Sequence, residues 1–191
     1  MYVAAFNGSA RKNGNTSYYI QKVFEALKAA GHECEEVSLA GKVKRGCTAC
    51  LSCREKGLEE CVYDDDIINE CIAKMKKASA LIIASPTYFS DMTAETKALI
   101  DRSGYVARGS GNFLSRKVGA AISVARRAGH VHTFESINQF FFINEMVVPG
   151  SSYWNVGIAR AIGDAEKDEE GVKTMRRLGE NIAWLLERLY D

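Results

Sequence analysis

Four cysteines, Cys47, Cys50, Cys53 and Cys61, follow one another in a C-x2-C-x2-C-x7-C pattern within one segment. Two residues between successive cysteines bring three thiolates around one small volume, and a fourth from farther along the same loop can close the site. The set suits an iron–sulfur cluster. Free thiols or a redox pair remain open readings, as does zinc, which more often uses two separated C-x-x-C pairs. Bacterial ferredoxins share the tight triplet, but here the fourth cysteine is distal and no proline follows it. Cys34 and Cys71 need no such role: one lies in an expected strand, the other on an apolar helix face, where a cysteine packs as a small hydrophobe.

A second candidate is Gly8-Ser9-Ala10-Arg11-Lys12-Asn13-Gly14-Asn15-Thr16-Ser17. Hydroxyls, amides, basic residues and two glycines between an expected strand and an expected helix let backbone N–H groups and the helix N-terminus surround a phosphate. The loop is neither of the common nucleotide motifs. G-x-x-x-x-G-K-[ST] fails because Asn15 follows Gly14, and G-x-G-x-x-G fails because Ser9-Ala10 follows Gly8. The plainer alternative is a turn in which Asn15 or Thr16 caps the helix.

Weaker candidates lie farther on. Ser85-Pro86-Thr87-Tyr88-Phe89 ends an apolar run and offers an aromatic pair, which packing explains as readily as a ligand. Arg126 and Arg127 are either cations for an anionic ligand or two solvated arginines at a helix entry. His130 and His132, with no acidic partner nearby in sequence, read as polar surface, and His32 as a helix-end residue favoured by the dipole.

The elements that must position these groups alternate. Tyr2–Asn7 reads as a strand, and Tyr19, Ile20, Val23, Leu27 and Ala30 give the next segment helical spacing. Glu33–Leu39 reads as a second strand, followed by the cysteine loop at 42–63, long for a bare connection. Asp64-Asp65-Asp66 opens a helix whose lysine-rich end suits its dipole, and Ala80–Ala84 is a continuously apolar strand of the kind buried on both faces of a parallel sheet. A helix from about Thr93 to Tyr105, a strand at Lys117–Val124, a helix near Val131–Asn144, a short strand at Glu145–Val148 and a helix over Glu169–Tyr190 complete the pattern. Five strands alternating with five helices predict an α/β doubly wound parallel sheet with helices on both faces. The loops after strands one and three look specialised, which favours the flavodoxin-like order 2-1-3-4-5 over the dinucleotide arrangement, because those loops then flank the switch point where ligands settle.

With 191 residues, 47% of them apolar, and no Pro/Ser-rich linker, residues 1–191 are expected to form one domain with the cysteine loop as an insertion. A net charge of +1 gives no global attraction to nucleic acid or to an anionic membrane. The N-terminus lacks the pattern of a signal peptide and no apolar run approaches a membrane span, so a cytoplasmic location is expected.

Gly-Ser-Ala-Arg-Lys-x-Gly-Asn-Thr resembles the phosphate loop of the NADPH-dependent FMN reductase branch of the flavodoxin superfamily. Ser85–Phe89, Lys97-Ala-Leu-Ile-Asp-Arg102 and Lys117-Val-Gly-Ala-Ala121 follow in that family's order across nearly the whole chain. The resemblance implies FMN, with its phosphate held by Ser9, Arg11, Asn15, Thr16 and Ser17 and its ring bordered by Pro86, Thr87, Tyr88 and Phe89. Relatives often carry a glycine-rich stretch after the fourth strand. This chain has Ala125-Arg126-Arg127-Ala128-Gly129, and Arg126 then faces the flavin or a nicotinamide-nucleotide phosphate. The cysteine run is similar to that of the iron–sulfur flavoproteins, which implies Cys47, Cys50, Cys53 and Cys61 as ligands of a [4Fe–4S] cluster. The same resemblance implies an oxidoreductase whose chemistry is carried by the flavin, with no catalytic side chain. Ferredoxin is the implied donor, with oxygen, peroxide or a quinone as the small acceptor. A cluster-free NAD(P)H-dependent reductase and a non-catalytic electron carrier are the other readings. Assembly as a homodimer or homotetramer is expected.

Overall fold

A computed structural model describes residues 1–190 and gives a five-stranded parallel sheet in the order 2-1-3-4-5. The strands are β1 (Tyr2–Asn7), β2 (Glu33–Ser38), β3 (Ala80–Pro86), β4 (Val118–Ala125) and β5 (Val156–Ile158). The helices are α1 (Asn15–Ala29), α2 (Ser52–Glu55), α3 (Ile68–Lys77), α4 (Ala94–Gly109), α5 (His130–Ile143) and α6 (Glu169–Tyr190). β1 and β4 are buried at every position and β3 at all but Pro86, as expected of central parallel strands whose apolar side chains have a helix over each face. On one face, Phe6, Leu81, Ile83 and Ala121 pack with α3, α4 and α5 through Ile72, Leu99 and Phe141. On the other, Val3, Ile82, Ala120 and Ile122 pack with α1 and α6 through Ile20, Phe24, Leu178 and Ile182. α1 and α6 meet closely where Gly179 faces the backbone of Val23: an added Cβ would lie 2.5 Å from the Val23 carbonyl oxygen.

The fifth strand differs from the expectation. Glu145–Val148 supplies one bridge, Val147 to Val118, and the paired strand comes later, at Val156–Ile158 against Ser123–Ala125. Glu145 has a left-handed φ of 58°, and Pro149-Gly150 then turns the chain away, since proline has no N–H for a ladder. Asn155 repairs the interruption: its amide donates to the Ala121 carbonyl at 3.1 Å and its own carbonyl accepts from Ser123 N–H at 3.1 Å. His32 lies at the end of α1, its N–H donating to the Leu27 carbonyl, but it is buried, and burial together with the nearby N-terminal amine pushes its pKa down, which works against the cationic form.

Candidate functional site

β1 and β3 are neighbours in the sheet, so the loops leaving their carboxyl ends lie side by side. Gly8 N–H donates to the Ala84 carbonyl at 2.8 Å, and Thr93 Oγ1 donates to the Gly8 carbonyl at 3.0 Å. Thr93 N–H donates in turn to Ser85 Oγ, so the first and third loops are braced as one unit. Gly8 is required there by space, since a Cβ would fall 1.8 Å from Thr96 Oγ1.

The loop itself is preorganised from within. Ser9 N–H donates to Asn7 Oδ1 and Arg11 N–H to Ser9 Oγ, while the Asn7 amide donates to Glu36 Oε1 on β2. The structure places the expected phosphate residues together but uses them unequally. Asn15 donates to the Ala161 carbonyl and accepts from the N–H groups of Gly163 and Ala165; Ser17 Oγ donates to Glu36 Oε2; and Arg11 Nη1 donates to the Arg160 carbonyl. Asn15 and Ser17 are thus committed to protein partners, Thr16 is buried, and Arg11 is exposed with one guanidinium nitrogen in use. The segment also offers a ligand its backbone. The first-turn N–H groups of a helix have no intrahelical acceptor, and here Gly14 stands at the N-cap with no side-chain cap, leaving the positive end of α1 open to an anion.

Above the carboxyl end of β3, Thr87 N–H pairs with the Val124 carbonyl and its hydroxyl accepts from Thr133 Oγ1 of α5. Tyr88 and Asp91 exchange backbone hydrogen bonds across a tight turn whose central residues, Phe89 and Ser90, have φ of 50° and 66°. That conformation is costly for a bulky residue. It throws Phe89 fully into solvent, with Tyr88 half exposed beside it. Gly129, at φ 86°, sits against Ser90, where a Cβ would be 2.6 Å from its hydroxyl oxygen, so the loop carrying Arg126 and Arg127 packs against the loop after β3. Both arginines are exposed and form no ion pair among the described residues. His130 and His132 gather with no other ligand group: among the described residues no three His, Cys, Asp or Glu side chains converge on a point that a single metal ion could fill.

The cysteine loop is built against α4. Arg102, Tyr105, Val106 and Gly109 recur at helical spacing on one face of that helix. The first three line one small cavity together with Cys47, Cys50, Cys53 and Cys61. Gly109 lets α2 approach, since a Cβ would lie 3.1 Å from Arg54 Cα. Cys53 lies in α2, a short helix that the sequence pattern did not reveal. Ala49 and Leu51 bracket Cys50 with φ of 53° and 58°. The left-handed Leu51 followed by helical Ser52 turns successive N–H groups to one side, a nest of the kind found at phosphate and Fe–S sites. Hydrogen bonds from the Ser52 backbone and hydroxyl draw the Cys50 thiol below its ordinary pKa, whereas burial raises that of Cys53 despite the N–H of Arg54. Ala49 N–H donates to Cys47 Sγ at 3.4 Å. Cys61 is fixed from two helices: Asn69 of α3 accepts from its N–H and donates to its carbonyl, and Arg102 Nε donates to its Sγ at 3.3 Å.

Arg102, which sequence reasoning did not single out, anchors this loop. It is 1% exposed, donates through Nη1 to Asp66 Oδ2 at 2.5 Å and to the Arg45 carbonyl, and through Nη2 to the Tyr63 carbonyl. The Asp66 side chain is wholly buried, and it also accepts from the N–H groups of Lys44 and Ile68. One guanidinium therefore clamps the loop on both sides of its cysteines. The only signal in the sequence was Arg102's place in the Lys97–Arg102 motif.

A model of the NADPH-dependent FMN reductase family matches residues 1–161. The chain belongs to that family. Within it, an iron–sulfur flavoprotein of Methanocaldococcus jannaschii is 36% identical over 190 residues, covering 96% of each chain. Another, from Methanosarcina thermophila, is 35% identical over 190 residues, covering 98% of this chain and 96% of its own. These relatives set the chain in the iron–sulfur flavoprotein branch and make it a flavin oxidoreductase. Among solved structures, RosB aligns with a TM-score of 0.73 at 17% identity, over 99% of this chain and 80% of its own. An archaeal flavodoxin aligns at 0.64 and 16%, over 98% and 99%. At such identity these two speak for the fold alone. No helix among the described residues is long and apolar enough to cross a membrane.

Proposed function

We propose that this oxidoreductase holds FMN in the crevice between the loops after β1, β3 and β4, and a [4Fe–4S] cluster in the cysteine loop. Electrons would pass between the two, with ferredoxin as donor and oxygen, peroxide or a quinone as acceptor. The observation that carries the proposal is that all four cysteines line one small cavity, with the Ala49 N–H donating to Cys47 Sγ and Arg102 Nε to Cys61 Sγ. Four cysteine thiolates are the ligand set of a [4Fe–4S] cluster, and the C-x2-C-x2-C run differs from the two separated C-x-x-C pairs that zinc more often uses.

FMN supplies hydride acceptance and one-electron transfer when bound, and the cluster supplies one-electron storage. The residues do the rest. Gly8 and Ser9 hold the phosphate loop open, and the first-turn N–H groups of α1 meet the phosphate, as helix N-termini do. The exposed rings of Tyr88 and Phe89 cover apolar ring surface. Pro86, in register with Val124, and Thr87, whose N–H donates to the Val124 carbonyl, would set the floor. Arg126 would supply positive charge to an anionic flavin. The same arginine, with Arg127, supports the second reading, in which NAD(P)H reduces the flavin directly through contacts to its phosphate. A homodimer or homotetramer is part of the proposal, supported by exposed Tyr105, Phe142 and Ile143 along a groove between α4 and α5.

Anaerobic purification followed by measurement of FMN, iron and acid-labile sulfide tests the cofactors. Separate addition of NADPH and reduced ferredoxin tests the donor. FMN without iron or sulfide would overturn the cluster, and bleaching by NADPH alone would favour the second reading.

A further inference from the structure

The Arg102 guanidinium divides its N–H groups between loop carbonyls, one carboxylate and one sulfur. Carbonyls alone would suffice to hold a loop. Here Nε is spent on Cys61 Sγ at 3.3 Å, and the compensating Asp66 lies on the far side of the guanidinium, at Nη1. Both side chains are shut away from water, so their charges are poorly screened and the balance between them is felt at the sulfur. Hydrogen bonds to ligand sulfurs and net charge are the levers by which a protein sets the potential of an iron–sulfur cluster.

We infer that Arg102 and Asp66 form a paired tuning device for the cysteine-loop cluster: Arg102 raises its reduction potential through the hydrogen bond to Cys61, and Asp66 holds that rise in check. The inference rests on the cluster reading above. Arg102 is a positioning residue in this sense, acting on the cluster through a ligand. A donor on a thiolate withdraws electron density and favours the reduced, more negative cluster. A buried carboxylate behind the donor opposes the same change.

A role confined to holding the loop would make any break in the pair destabilising, with no fixed relation between the variant's charge and the potential. The tuning device makes a signed prediction instead. Asp66→Asn, which keeps the shape and a hydrogen bond but leaves Arg102 uncompensated, shifts the midpoint potential upward. Arg102→Gln shifts it downward. Arg102→Gln with Asp66→Asn replaces a buried ion pair by a neutral hydrogen-bonded one, avoids an unpaired buried charge, and is the fallback if the single Arg102 variant does not fold. Its potential also lies below that of Asp66→Asn.

The test is a redox titration of the anaerobically purified holoprotein, followed by electron paramagnetic resonance for the cluster and by absorbance for the flavin. Iron and sulfide content and urea midpoints are recorded for each variant. Expected are opposite shifts for the two single variants, with the flavin potential unchanged. Equal potentials, shifts of the same sign, or loss of iron from both Asp66→Asn and the double variant while FMN is retained would each overturn the tuning role and leave only a structural one. Absence of iron from the unaltered protein is a separate outcome, which removes the cluster reading and this inference with it.

Discussion

Thr93 Oγ1 donates to the Gly8 carbonyl at 3.0 Å across 85 residues of sequence, and this bond joins the two loops that border the switch point. Thr93 is also the N-cap of α4, accepting from Thr96 N–H, so the helix that carries Arg102 starts on the phosphate loop's own brace. A methyl group at position 8 would collide with Thr96 Oγ1 and approach Thr93 Oγ1 to 2.8 Å. Gly8→Ala must therefore displace the loop or the start of α4. Overpacking of this kind costs about 1–3 kcal/mol. FMN affinity, measured by quenching of flavin fluorescence on titration, should fall at least about tenfold, and Thr93→Val should weaken it in the same direction with no added bulk.

Asn15 makes a different prediction from the one its place in the phosphate loop suggests. Its three side-chain hydrogen bonds run to Ala161, Gly163 and Ala165, stitching the start of α1 to the segment after β5. Asn15→Ala leaves buried backbone groups short of partners, which costs about 1–3 kcal/mol. The unfolding free energy from urea titration should drop by that amount, with a lower midpoint. If the first-turn backbone is the phosphate's main contact, FMN affinity measured well below that midpoint should change by less than in Gly8→Ala.

Much of the frame was legible because burial follows simple patterns. Ala80–Ala84 is apolar at every position since both faces of β3 are covered, and α6 keeps its stripe since only one face is. β5 was not legible. Three residues form it, and what secures its register is the Asn155 side chain on the Ala121 carbonyl, a contact that leaves no periodic trace. The cysteine loop announced its ligand types but not its scaffold. Arg102 sits in a helix where charge ordinarily marks the solvent face, and its partner Asp66 lies 36 residues away at the entry to α3. Such a pair is visible only once the chain is folded. The phosphate loop was legible as a place but not as a division of labour, because composition does not say whether Asn15 and Ser17 turn toward a ligand or toward Ala161 and Glu36.

The buried pair has a pH signature. Burial opposes the ionisation of Asp66, but hydrogen bonds from Arg102 and from the N–H groups of Lys44 and Ile68 outweigh it and hold the carboxyl below its ordinary value of 3.8. A depressed carboxylate contributes stability above that ordinary value, and the contribution disappears as pH falls through the lower native value. Urea midpoints measured from neutrality into the acid range should decline less steeply for Asp66→Asn than for the unaltered protein. At neutrality the variant should be less stable by about 3–5 kcal/mol, the usual cost of breaking a buried pair from one side. Parallel acid limbs would assign the acid sensitivity to other carboxylates.

The cysteines divide into two groups. Serine at position 47, 50, 53 or 61 should each lower iron and sulfide content by more than half while leaving FMN content unchanged, since the lining of the cavity they share includes no residue of the loops after β1, β3 and β4. Cys34→Ser and Cys71→Ala should leave iron unchanged. Cys71 is packed inside the core, where burial pushes its thiol up to about 12, so it stays protonated and serves as a small apolar group. Its loss should appear as a lower urea midpoint. Iron loss in the Cys71 variant at full FMN occupancy would contradict this division.

Phe89 provides the sharpest separation of folding from ligand binding. Its side chain is fully exposed and its backbone is left-handed, so the fold gains little from a phenyl ring there and spends conformational energy to hold it. Replacing it by alanine should leave the unfolding free energy from urea titration within about 0.5 kcal/mol of the parent, as for surface changes that touch no buried group. Glycine should stabilise slightly, because it accepts a positive φ without strain. If the ring lies against the flavin, both variants should bind FMN more weakly and quench its fluorescence less, in proportion to the lost aromatic contact. Unchanged affinity and quenching in Phe89→Ala would move the ring's aromatic neighbour to Tyr88, whose backbone bonds to Asp91 hold the same turn.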